Sequence, residues 1–146
     1  MPRDAAPALV MLGPDLRARG GIASVLRVWQ EAGLTAGRPV LHLATYVDGG
    51  ALAKLAALAL ALLRFGVLLL TGRVAAVHAH SASNASFRRK SLFLALARLA
   101  GKPYVFHLHG GAFDRYHAGL SSLERAWVRR SIQGASTHSR TRLENQ

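Results

Sequence analysis

From residue 8 onward, short continuous apolar runs alternate with longer segments whose apolar residues recur every three or four positions. The run at 8–13 (ALVMLG) closes on Gly-Pro, which predicts a buried strand followed by a loop. Beyond Gly20-Gly21, Ile22, Val25, Leu26 and Trp29 fall at i, i+3, i+4 and i+7, one face of an amphipathic helix over 22–32. VLHLATYV at 40–47 reads as a second strand, closed by Asp48-Gly49-Gly50. An apolar helix over 51–63 follows, then a third strand at 74–80 (VAAVHAH) and a polar loop at 81–86 rich in helix-capping residues. A third helix over 87–100 ends at Gly101, and YVFHLH at 104–109 makes a fourth strand before Gly110-Gly111. The last helix, 121–131, opens with Ser121 and Glu124 at the spacing of a capping box.

Apolar strands alternating with helices predict an α/β fold with a parallel sheet covered on both faces. Right-handed crossovers then make it a doubly wound, Rossmann-like sheet, with 3-2-1-4 as the expected strand order. From Gly134 the chain is polar and loses all periodicity, so residues 1–133 read as one domain and 134–146 as a disordered tail. The sheet looks cut off where a fifth strand would follow.

Composition changes this picture in three ways. With 51% hydrophobic and only 18% charged residues, the chain has the means to build a core. The absence of cysteine excludes disulfide scaffolds, cysteine-ligated zinc, iron–sulfur clusters and thiol nucleophiles. The 19 basic and 7 acidic residues give +12, which invites an anionic partner. The positive residues are mostly scattered arginines, lysine occurs only at 54, 90 and 102, and no DNA-reading motif is present. Nucleic acid is therefore not expected, whereas peripheral contact with an anionic membrane is. The N-terminal apolar run is too short for a secretory signal and reads as a first strand, which leaves the cytoplasm as the expected location. Residues 51–70 have the length of a bilayer span, but Lys54 and Arg64 interrupt them, so a buried or interfacial helix is expected instead.

In open α/β sheets ligands gather beyond the carboxyl ends of the strands. Four places qualify. Gly20-Gly21, just before a helix, suits the approach of a phosphate to backbone amides, without being a G-x-G-x-x-G or Walker loop. His78 with His80, and His107 with His109, stand two residues apart, so each pair shares one face of its strand. Either pair has the spacing to chelate a metal, yet no carboxylate cluster completes a site, and neither metal nor cofactor is expected. The reading kept for His80 and His109 is contact with a polar ligand. Arg88-Arg89-Lys90 load the first turn of a helix with cations, against its dipole, which reads either as an anion site or as solvated arginines. Asp114 is placed to orient a sugar hydroxyl or to end a turn. There is no G-x-S-x-G elbow and no glycosidase-spaced carboxylate pair, which argues against a self-contained hydrolase.

LGPDLRARGGIASVL and VHAHSASNASFRRKSLFLALARLAGKPYVFHLHGGAFDRY, set in this alternation, resemble the N-terminal half of family-4, GT-B-type glycosyltransferases over residues 8–131. The resemblance implies one half of a GT-B fold, serving the acceptor side of a retaining, metal-independent sugar transfer. The donor would be a nucleotide-sugar and the acceptor a glycan or lipid-linked sugar. Gly20, Gly21 and Gly110 would approach the donor, and His109 would act catalytically against the transferred sugar. His80, Arg88 and Asp114 would line the acceptor side. The family's second Rossmann domain with its E-x7-E motif is missing from these 146 residues, so the chain is expected to be truncated and inactive alone. Two alternatives come from other classes: a basic binding module docking on anionic membrane or nucleic acid, and a metal-dependent hydrolase using the four strand-end histidines.

Overall fold

The computed structural model describes residues 6–33, 36–82, 84–109, 112–135 and 137–138. It is a parallel sheet flanked by helices, the Rossmann-like α/β fold expected. In chain order the elements are β1 (Ala8–Pro14), α1 (Gly21–Glu31), β2 (Val40–Tyr46), α2 (Ala51–Leu70), β3 (Val74–Ser81), α3 (Ala85–Leu99), β4 (Tyr104–Leu108), α4 (Phe113–Ala118), α5 (Ser122–Gln133) and β5 (Thr137–His138).

The strand order is β2-β1-β3-β4-β5, which corrects the expected 3-2-1-4. The physical reason is the partnership of α2 with α3. Phe65 of α2 and Phe93 of α3 are both fully buried and pack against each other at 5.5 Å between ring centres, so the two helices must cover one face. With right-handed connections, that requires the chain to turn back after β2, carrying α2 across β1 to lay β3 on its far side. In the 3-2-1-4 order α2 would share a face with α1 and leave α3 opposite. α2 also runs to Leu70, seven residues past the expected end, because Phe65 is buried and Leu68 and Leu69 pack on the same core. That burial outweighs the roughly 1 kcal/mol that a mid-helix glycine costs at Gly66.

Strand alternation divides the sheet into two chemically different faces. Leu12 lies beside Leu43 and Ala79, and Ala79 beside Phe106. These residues join Phe65, Phe87, Phe93 and Leu94 in a dry core under α2, α3 and α5. The opposite face presents Met11 beside His42 and His78, and His80 beside His107, with α1 laid over it.

Ser121 caps α5 as expected, its Oγ accepting from the Glu124 amide at 3.3 Å while Glu124 Oε2 accepts from the Ser121 amide at 3.0 Å. The segment read as a disordered tail contributes a short strand: Thr137 and His138 pair in parallel with Val105 and Phe106. The edge of β4 offers unpaired backbone groups, which any extended segment can take up whatever its hydropathy. Residues 136 and 139–146 of that segment lie outside the described residues.

Candidate functional site

The reversal of strand order falls between β1 and β3, and the loops after these two strands bound the crevice where such sheets bind ligands. The loop after β1 is held in shape by its own polar groups. Asp15 Oδ1 accepts from the Arg17 amide at 2.8 Å, the Arg27 guanidinium donates to the Leu16 carbonyl, and the Arg19 amide donates to Asp48 Oδ2 at 2.8 Å, tying the loop to the end of β2. The loop delivers Gly20 at φ +126°, a conformation that a side chain would strain. Around both Gly20 and Gly21 the space is open, since a Cβ there would meet nothing within 4 Å. The first-turn amides of α1, which have no acceptor within the helix, begin at this opening.

At the end of β3 and β4 the histidines form one stacked layer rather than two separate pairs. His78 and His80 stack at 4.2 Å between ring centres, as do His107 and His109, while His80 lies 5.3 Å from both His107 and His109. Trp29 of α1 caps the layer, edge-on to His80 at 5.1 Å. His80 Nδ1 and His109 Nε2 are 3.0 Å apart and share a hydrogen bond. The backbone holds the pair in place, because the His109 amide donates to the Ser81 carbonyl at 2.7 Å.

Burial disfavours the charged form of His78, His80 and His109. Removal from water pushes His80 down to about 2 and His78 down to about 4, with the other histidines nearby adding to the effect. Burial lowers His109 as well, with His107 second, and lowers His42, whose ring lies on the same sheet face. A cleft of about 400 Å³, lined by Met11, Trp29, Arg38 and His78 among others, runs from this face to the exterior.

The site residues read from the sequence are only partly brought together. His80 and His109 meet directly, and His80 is fully buried, so a sugar-sized ligand meets His109 rather than His80. Gly20 and Gly21 stand at the neighbouring strand end. Arg88 is held elsewhere: its Nη2 pairs with Glu124 Oε1 of α5 at 2.6 Å, beside a shallow groove lined by Phe87, Tyr116 and Trp127. Asp114 is exposed in the first turn of α4. Gly110 lies outside the described residues.

The Arg88-Arg89-Lys90 cluster does not form one anion site. Arg89 lies over the Tyr46 ring at 5.0 Å, and Lys90 is 1% exposed with Ser86 Oγ 3.4 Å from its ammonium. Sequence reasoning missed His42 and Trp29 as members of the site region. The signal for His42 was available, since it alternates in VLHLATYV with the leucines that face the core. Compared with known proteins, the chain matches no family model, no curated protein and no solved structure.

Proposed function

We propose that this domain is the acceptor-side wall of a retaining glycosyltransferase that moves a sugar from a nucleotide-sugar to a glycan or lipid-linked acceptor. The observation that carries the reading is the His80–His109 hydrogen bond at the carboxyl ends of adjacent strands, beside a switch point whose other loop presents Gly20 and Gly21. In this reading the opening of α1 receives the diphosphate, drawn by the helix's positive end. His109 lies against the sugar, and His80 is a positioning residue that fixes the orientation of the His109 ring. The bond from the anomeric carbon to the diphosphate breaks, the acceptor oxygen bonds to the same carbon and face, and its proton passes to the leaving diphosphate. Arg88 and Asp114 contribute to acceptor contact only from the rim. The donor-binding partner half of the cleft is supplied outside these 146 residues.

The same reading puts the domain at the inner face of the cell membrane. α2 has a mean hydropathy of 2.1 over its apolar window, of which only 11% is buried. Leu52, Leu55, Leu63, Val67 and Leu70 are each more than half exposed, with Lys54 and Arg64 among them and a net charge of +12 behind them.

One fractionation experiment tests both statements. In cells that express this chain from its own gene, the polypeptide is expected in the membrane fraction, and that fraction is expected to transfer radiolabelled sugar from a nucleotide donor. His109→Ala is expected to lower transfer by about 10²–10³-fold without changing the fractionation. Transfer unaffected by His109→Ala, or a membrane fraction without transfer, contradicts the enzymatic reading. A polypeptide found wholly in the soluble fraction contradicts the membrane reading.

A further inference from the structure

The histidine layer carries an inference that goes beyond sugar transfer. His78, His80 and His107 each present a ring nitrogen, and the three nitrogens lie within 4.8 Å of one another. They come from the i, i+2 pair of β3 and from the residue directly beside His80 on β4, so the backbone register fixes their approach. The Nε2 atoms of His78 and His80 are buried and have no hydrogen-bond partner. A buried imidazole nitrogen without a partner costs about 1–3 kcal/mol, so two side by side call for an occupant. No carboxylate belongs to the group, which leaves a neutral all-nitrogen donor set suited to zinc or copper rather than magnesium or calcium.

We propose that His78, His80 and His107 bind a divalent transition-metal ion, Zn²⁺ foremost, with His109 fixing the orientation of His80. When His80 donates its Nδ1 proton to His109 Nε2, its Nε2 lone pair is left free for a metal, the arrangement by which metal-bound histidines are held in one tautomer. Bonds of about 2.0–2.1 Å require the nitrogens to close to roughly 3.3 Å, a shift that side-chain rotation on a fixed backbone supplies. The cleft lined by His78 and Trp29 gives the ion a route in.

The test is calorimetric titration of the chelator-stripped chain with zinc chloride, followed by electron paramagnetic resonance of the copper(II) form. The expected result is one ion per chain, with affinity at least about 10-fold weaker in His78→Gln and His107→Gln and unchanged in His117→Gln on α4. The copper spectrum of the wild type is expected to show three nitrogen ligands, a readout that stands even where a variant fails to fold. Zinc binding that is absent, or equally strong in all folded variants, or a copper spectrum without three nitrogens, overturns the proposal.

Discussion

Taking the metal-free protein from pH 7 to pH 4 is expected to destabilise it strongly. In the unfolded chain His78 and His80 take up protons near the ordinary imidazole value of 6.5, but in the fold they resist protonation until about 4 and about 2. A group whose folded pKa is depressed contributes stability that is fully present above the unfolded pKa and is lost as the pH falls toward the folded one. The window therefore opens at 6.5 and extends to about 4 for His78, and lower still for His80. His42 and His109 are lowered by burial as well and act in the same direction. After discounting His78 for its partial exposure, the loss by pH 4 is on the order of 5 kcal/mol, against the 5–15 kcal/mol that typically separates folded from unfolded domains. Urea unfolding followed by circular dichroism at stepped pH measures this directly. A midpoint that stays level from pH 7 to 4 contradicts the burial of the histidine layer.

Lys90→Met is expected to stabilise the domain by about 2–4 kcal/mol at pH 7. Lys90 sits in α3 at 1% exposure, and among the described residues its ammonium donates one hydrogen bond, at 3.4 Å to Ser86 Oγ. Burial first, and the neighbouring Arg89 second, push it down to about 7 from 10.5. The unfolded chain binds the proton more readily between these two values, so the wild type gains stability as the pH rises from 7 to 10.5 and bears the whole cost below 7. Methionine has nearly the same length and no charge, so it removes both the cost and the slope. Thermal melts of the two proteins at pH 7 and pH 10 decide the matter. The variant should melt higher at pH 7, with the gap narrowing at pH 10. A variant that melts lower at pH 7 would show that the amine has stabilising partners in the fold.

Most of the fold was legible because β1 to β4 are largely apolar runs bounded by glycine, proline or polar turn residues, and the long helices have their own periodicity. The order of the strands was not. Periodicity identifies an element but says nothing about which helices share a face, and the Phe65–Phe93 contact between α2 and α3 is what decided it. α4 escaped notice because six residues, Phe113–Ala118, are too few to display a helical repeat. At the site, the i, i+2 spacing disclosed each histidine pair, but their union into one layer depends on β3 and β4 being neighbours in register. Arg88 and Lys90 show the converse. Adjacent cations in the sequence suggested one anion site, whereas successive helical positions point about 100° apart and send Arg88 to Glu124 and Lys90 inward.

In the proposed function the carboxyl ends of β1, β3 and β4 hold a nucleotide-sugar against His109. Titration of the isotope-labelled chain with uridine- and guanosine-diphosphate sugars, read by amide and imidazole chemical shifts, tests it most directly. The expected result is a saturating, co-varying shift of the Gly20 and Gly21 amides and the His109 ring, with the amide shifts weakened in His109→Ala and the ring shift weakened in Gly20→Val. Shifts confined to exposed arginines, or saturation elsewhere while Gly20, Gly21 and His109 stay still, would contradict it.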